Sequence, residues 1–337
     1  MAVIRNLAVF AIALALSCPS SVGSPTPVAS VGGLENGPTD KVTVLPSEKK
    51  SSRAHRTVKS LKVGKIRRSY VINVPANYGE KPAPLVLVLH GAMGNSLTVA
   101  WDTRMTERAS KQGFLVVYPR GMGIASTLRT WNAGDCCGLA KLRNIDDVAF
   151  LKALLKEIRS DYSVDADRIF IAGASNGGMM AYRAAIEMSD QIAAIATASG
   201  TMMISEKSAG EPVSILAFHG TNDHIVPYQG GPGGLPFWKI EGTKVSDNVR
   251  FWVDRDQCSD KVVREEIGNY IKETYCHGSN GTEVCVYTVK NGKHNWPGGR
   301  STVLRNDPEM RKVDATDIIC RFFLAHPKVH SDSALGK

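Results

Sequence analysis

The stretch from Arg168 to Arg183 constrains this chain more than any other. Four apolar residues, Ile169, Phe170, Ile171 and Ala172, run into Gly173-Ala174-Ser175-Asn176-Gly177-Gly178, and Met179-Met180-Ala181-Tyr182 follow. The pattern predicts a strand, a sharp turn and a helix, with Ser175 at the apex and its hydroxyl lifted above the sheet edge. Glycines at 173 and 177 suit such a turn, because the backbone closes on both sides of a strained serine and a Cβ at either position would clash. The helix that follows aims its first amides at the same spot, where they can stabilise a developing negative charge. Gly-x-Ser-x-Gly is short and the chain holds 31 glycines, so the motif alone also reads as a chance match in a Gly-rich loop. The strand before it and the helix after it are the context the turn requires.

A serine hydroxyl is too weak an acid to attack a carbonyl at neutral pH without a base, and the base needs an orienting carboxylate. The apolar run Val213 to Phe218 ends in His219-Gly220-Thr221-Asn222-Asp223-His224, which places Asp223 in the loop just past a strand end. A later run, Val284 to Val289, leads into Lys290-Asn291-Gly292-Lys293-His294-Asn295-Trp296-Pro297. The order Ser175, Asp223, His294 is that of the α/β-hydrolase fold, a mostly parallel, doubly wound sheet with helices on both faces. Neighbouring residues have plainer readings: His219 as a structural residue closing its strand, His224 as a solvated neighbour of Asp223. Asp146 and Asp147 sit at a helix start, where acidic side chains are favoured by the dipole. An oxyanion hole in this fold joins the amide after the nucleophile to one from the loop after an early strand. The buried-strand pattern Leu85 to Leu89 ends in His90-Gly91-Ala92-Met93, so the expected donors are the Asn176 and Ala92 amides, with Met93 as the alternative to Ala92.

Between these markers the pattern predicts helices over Val99–Gln112, Ile145–Tyr162, Thr243–Asp256 and Asp314–His326, and strands over Phe114–Tyr118 and Ile192–Ala198. The segment from Pro119 to Arg143 has no regular period and is the expected substrate-shaping element. Trp131 within it, and Trp296 beside His294, are the candidate substrate contacts, although a large aromatic is as often a packing anchor.

Five ordered blocks carry a family resemblance: residues 173–183, Thr130-Trp131-Asn132-Ala133-Gly134-Asp135-Cys136-Cys137-Gly138, Asn144-Ile145-Asp146-Asp147-Val148, His219-Gly220-Thr221 with Asp223, and His294-Asn295-Trp296-Pro297-Gly298-Gly299. Over roughly residues 66–326 the chain resembles the secreted esterases grouped as polyhydroxybutyrate depolymerases and feruloyl esterases. The resemblance implies ester hydrolysis through an acyl-enzyme, with no cofactor, on a Ser175, Asp223, His294 triad, and the sequence shows no His/Cys cluster with the spacing of a metal site. It implies hydroxyalkanoate oligomers or a related polyester as substrate, with feruloyl or acetyl esters of plant polysaccharide as the alternative. A peptidase, or a binding protein on the same scaffold, are further alternatives.

Composition frames the rest. A length of 337 residues with 43% hydrophobic content suffices for one large core. Residues 1–23, with Arg5 ahead of an apolar run from Leu7 to Leu16, read as a secretory signal, too short for a spanning helix. Ala15-Leu16-Ser17-Cys18 faintly resembles a lipoprotein signal, which makes anchoring at Cys18 the lesser alternative to a secreted protein. A disordered basic linker is expected over 24–57, a catalytic domain over 58–327 and a short tail over 328–337. From Lys49 to Arg68 the chain has nine Lys and Arg and no acid, equal to its whole formal excess of +9. Such an arm reads as a solvated tether, or as a contact for an anionic surface or polysaccharide. No aromatic precedes Tyr70 within it, which argues against nucleic acid. Seven cysteines become six after signal removal, so disulfides are expected. Pairing outward from the Asn280-Gly281 turn sets Cys276 opposite Cys285, whereas the family resemblance suggests Cys258 with Cys276. Cys136 and Cys137 have no assigned partner, and Cys320 reads as a buried thiol.

Overall fold

The computed structural model describes residues 55–330 apart from 80, 125–127, 205–209, 236–237 and 301–306. The expected signal, Cys18 and the expected linker up to residue 54 lie outside the described residues, as do 331–337 of the tail. In chain order the strands are β1 (His55–Val63), β2 (Ile66–Val74), β3 (Ala83–Leu89), β4 (Leu115–Pro119), β5 (Met122–Gly123), β6 (Arg129–Thr130), β7 (Val164–Ala174), β8 (Ala194–Ala198), β9 (Ser214–Gly220), β10 (Gly231–Leu235), β11 (Trp238–Gly242), β12 (Val262–Ile267), β13 (Tyr270–Tyr275) and β14 (Val284–Val289). The helices are α1 (Ser96–Thr103), α2 (Met105–Ala109), α3 (Gly138–Leu142), α4 (Asp147–Asp161), α5 (Asn176–Glu187), α6 (Val245–Arg255) and α7 (Ala315–Ala325).

Ten strands form one sheet in the order β1-β2-β4-β3-β7-β8-β9-β14-β13-β12. From β4 to β14 every neighbouring pair is parallel, and antiparallel strands extend the sheet at both ends. The central strands are apolar throughout because both faces are covered. Along β3, Leu85, Leu87 and Leu89 enter one buried cluster with residues of α4, α5 and α6, while Val86 and Val88 enter a second with residues of α1, α2 and α7. The helix α4 shows how sequence spacing sets this: Val148, Leu151, Leu154, Leu155 and Ile158 recur at helical intervals and are all buried.

The structure shifts several expectations. The predicted helix Val99–Gln112 breaks at Arg104, whose left-handed φ of 54° separates α1 from α2. An Asn95 cap starts α1 earlier, its side chain accepting from the Leu97 and Thr98 amides. Strand β1 begins at His55, three residues inside the expected linker, because it pairs with β2 along its full length. The Asn280 turn is not a two-residue hairpin. Thr274 stands opposite Cys285 and Tyr275 opposite Val284, so residues 276–283 bulge out of the ladder and Cys276 is not across from Cys285. Cys258, Cys276, Cys285 and Cys320 are free thiols, and the paired sulfurs are those of Cys136 and Cys137. The Ser259 amide bonds the Cys276 carbonyl at 2.8 Å, so the Cys258 and Cys276 segments are adjacent without being bridged.

Candidate active site

Ser175 sits between β7 and α5 with φ 53° and ψ −124°, a conformation that costs a non-glycine residue energy and persists only where its surroundings enforce it. Its amide bonds the Ala198 carbonyl at 2.8 Å and its carbonyl accepts from Met179 at 2.9 Å. The flanking glycines admit no side chain: a Cβ at Gly173 would strike the Gly177 carbonyl, and one at Gly177 would strike that of Leu89.

Parallel pairing of β9 with β14 brings the loops that follow them together. Thr221 and Asn222 donate backbone bonds to Val289 and Gly292 at 3.0 and 2.9 Å, and the Asn291 amide reaches Thr221 Oγ1 at 2.8 Å. This zipping sets Asp223 Oδ2 2.8 Å from His294 Nδ1. The other oxygen, Oδ1, accepts the Ile225 and Val226 amides, each at 2.9 Å. Burial alone would raise the Asp223 carboxyl, but the His294 hydrogen bond and charge, with lesser help from His219 and the Val226 amide, hold it below the ordinary 3.8. An ionised Asp223 accepts at Oδ2, so His294 carries its proton on Nδ1 and leaves Nε2 as the basic nitrogen.

His219 lies close to the same carboxylate, with Nε2 3.5 Å from Asp223 Oδ2, but it donates to the Val226 carbonyl at 2.8 Å. Burial lowers its pKa, which keeps the ring neutral and structural. His224 is exposed at the pocket mouth. Asp146 caps α4, accepting the Ala149 amide at 2.8 Å. Asp147 is wholly buried, 2.6 Å from Arg68 Nη2, and accepts the Asn132 amide at 2.8 Å.

Ser175, Asn176, Ala92, His294 and Trp296 line a single pocket of about 740 Å³. Asn176 is the first residue of α5, so its amide has no acceptor within the helix. On the β3 side the Met93 amide is committed to the Arg129 carbonyl at 2.8 Å, and Gly94 to Gly91 at 3.1 Å. Ala92 and Met93 both line the pocket, and of these two candidate donors the Met93 amide is the one already engaged elsewhere. His90 fixes this loop: its Nδ1 donates to the Gly91 carbonyl at 2.8 Å and its Nε2 accepts the Gly121 amide at 2.9 Å. Burial pushes its pKa down to about 4, so the ring stays in the neutral form that can accept.

Trp131 departs from expectation. It is fully buried and does not line the pocket. Its indole donates to the His90 carbonyl at 2.9 Å and lies parallel to Phe150, while the Asn176 side chain bonds both its amide (2.7 Å) and its carbonyl (3.1 Å). It is a packing anchor that ties the His90 end of the loop after β3 to the start of α5. Trp296 does line the pocket, with its indole held by Thr316 Oγ1 at 2.9 Å. Of the expected shaping segment 119–143, Cys136 and Cys137 reach the wall. The hairpin β10–β11 supplies Gly234, Leu235, Trp238 and Ile240, which the sequence reading missed. Its strands are Gly-rich and short, but Trp-Lys-Ile alternates apolar, polar, apolar, the available signal for a half-buried strand.

Residues 68–226 match the profile of the family described as esterase PHB depolymerase. Feruloyl esterase B of Piromyces equi is 30% identical over 238 residues, covering 67% of this chain and 42% of that protein. The bifunctional acetylxylan esterase/xylanase XynS20E of Neocallimastix patriciarum is 30% identical over 168 residues, 50% of this chain and 23% of that one. The chain thus spans less than half the length of either relative. Among solved structures, the acetyl xylan esterase from Aspergillus awamori superposes with a TM-score of 0.54 at 16% identity, over 72% of this chain and 95% of that one. That likeness shows the fold, the α/β-hydrolase fold.

Proposed function

We propose that this chain, whose residues 68–226 match the esterase PHB depolymerase profile, is a serine hydrolase of carboxylic esters acting through Ser175, His294 and Asp223. The observation that carries this reading is the strained Ser175 sharing one pocket with a histidine whose Nδ1 is tied to a buried carboxylate at 2.8 Å. Ser175 Oγ attacks the ester carbonyl while His294 Nε2 takes its proton. The tetrahedral oxyanion accepts from the Asn176 and Ala92 amides, placed in advance at low reorganisation cost. His294 passes the proton to the departing alcohol, leaving an acyl-Ser175 that water hydrolyses by the same steps in reverse. Asp223 stays ionised and orients the ring.

The acid portion of the substrate is a hydroxyalkanoate or, alternatively, a hydroxycinnamoyl or acetyl group on plant polysaccharide. Trp296 and Trp238 on the pocket wall, with Leu235 and Ile240, favour an aromatic acyl group of the alternative class. Export through residues 1–23 and a basic segment that contacts anionic surfaces belong to the same reading. No helix among the described residues is long and apolar enough to cross a membrane.

Labelling with a fluorophosphonate probe tests the chemistry. Wild type should label and should hydrolyse p-nitrophenyl esters, while Ser175→Ala and His294→Ala, both folded, should each lose on the order of 10⁴-fold or more in turnover. A folded Ser175→Ala protein with near wild-type turnover would overturn the assignment. Methyl ferulate run beside a 3-hydroxybutyrate dimer separates the two acyl classes.

A further inference from the structure

The β1–β2 hairpin carries a charge arrangement that its own packing does not explain. The strands pair in unbroken antiparallel register from His55 opposite Val74 to Val63 opposite Ile66. On one face Thr57, Lys59, Leu61 and Val63 are half-buried, and Lys59 reaches Asp161 at 2.6 Å. On the other face Arg56, Val58, Ser60 and Lys62 are exposed. Lys62 stands directly opposite Arg67, and Lys65 lies in the connecting turn. Like charges facing one another across a ladder weaken it. None of Arg56, Lys62, Lys65 and Arg67 meets a carboxylate among the described residues, and Arg67 donates instead to the Ser60 hydroxyl at 3.0 Å. Charges on an edge strand also discourage edge-to-edge pairing, and β1 ends the sheet. Edge protection accounts for cations on β1 but not for the placing of Arg67 on β2 opposite Lys62, which adds repulsion that edge protection does not require.

We propose that this face of the hairpin is a docking surface for a carboxylated polysaccharide. The ladder sets Arg56 and Lys62 about 20 Å apart along one strand, six residues at roughly 3.3 Å each, a fixed row that an extended polyanion can follow. Guanidinium groups match carboxylates through two parallel N–H donors. A lipid surface calls for apolar side chains to enter it, and on the exposed face of β1 Val58 is the one such residue. Stacking on nucleic-acid bases calls for exposed rings, and Tyr70 is fully buried. None of the four cations lines the pocket, so docking would hold a polymer beside the site without taking part in the chemistry. Presentation of ester groups on that polymer rests on the esterase reading above; the docking itself does not.

The test measures binding of the full chain to polygalacturonate at low and high salt, with thermal melting as the check on folding. The variant Lys62→Gln/Lys65→Gln/Arg67→Gln should bind about tenfold or more weakly at low salt, with an unchanged melt and unchanged hydrolysis of p-nitrophenyl acetate. A control that removes equal charge elsewhere, Lys111→Gln/Lys152→Gln/Lys156→Gln at three exposed positions, should bind as wild type does. Wild-type binding by the hairpin variant, an equal loss in the control, or tighter binding to phosphatidylserine vesicles or to a DNA duplex than to polygalacturonate would overturn the proposal. Polymer binding is read without ester cleavage, so an inactive enzyme that still binds would sink the esterase reading and leave this one standing.

Discussion

Replacing Asp147 with asparagine should be among the costliest single-atom changes available in this protein. The carboxylate is wholly buried, and so, at 3% exposure, is its partner Arg68, with Nη2 2.6 Å from Oδ1. Asparagine can still accept the Asn132 amide that Oδ2 now takes at 2.8 Å, so the substitution isolates the charge. Arg68 would keep a hydrogen bond to the Arg120 carbonyl at 3.1 Å and its place over the Phe150 ring, but it would lose its counter-ion in a buried site. Stranding one member of a buried pair costs about 3–5 kcal/mol, against a total stability of about 5–15 kcal/mol for a domain. The neighbouring exposed cap, Asp146→Ala, should cost about 1 kcal/mol by comparison. Urea unfolding followed by tryptophan fluorescence measures both. The double variant Arg68→Met/Asp147→Asn removes the stranded charge and should recover most of the loss, since apolar replacement of a whole pair is often neutral. A cost below about 1 kcal/mol for Asp147→Asn, or a double variant no more stable than the single, would refute the view that this pair holds β2, the 131–137 loop and the start of α4 together.

Asp256, fully buried with one carboxylate oxygen unpartnered, has its pKa pushed up to about 7, chiefly by burial. A folded pKa above the unfolded one means stability that is present below about pH 4 and lost as pH rises through 7; urea midpoints should fall over that window in wild type and stay flatter in Asp256→Asn, and equal slopes would count against it. Trp131→Phe should lower the urea-unfolding stability by about 1–3 kcal/mol through the orphaned His90 carbonyl and lost packing, and should reduce kcat by shifting the loop that carries Ala92, the proposed oxyanion donor. Trp238→Ala, by contrast, should raise KM for methyl ferulate more than for p-nitrophenyl acetate with the melting temperature nearly unchanged, and equal effects on both esters would remove Trp238 from the acyl site.

The central sheet was legible because its residues leave little choice. A run such as Leu85 to Leu89 has no polar face to show solvent, so it must be a strand covered on both sides, and the glycines around Ser175 permit few other turns. What the sequence hid was tertiary. Nothing local tells that Arg104 adopts a left-handed φ and splits a helix, or that residues 276–283 leave the ladder and shift the pairing of Cys285 to Thr274. Trp131 and Trp296 look alike as isolated aromatics; one is buried under the loops and the other faces the pocket because of where Asn176 and Thr316 hold them.

The same distinction bears on where specificity should be sought. Ser175, Asp223 and His294 stand on strand ends and on loops zipped to one another by backbone bonds, so their geometry follows from sheet topology and is insensitive to the residues between. Part of the pocket wall comes from the β10–β11 hairpin, a separate two-stranded sheet outside the ten-stranded one. Leu235, Trp238 and Ile240 are only partly buried, although Trp238 and Ile240 pack against the core, so substitutions there should change which acyl group is held at a lower cost to the fold than changes at fully buried positions. Chemistry is thereby fixed by the part of the chain that the sheet constrains, and substrate choice is left to the part that it does not.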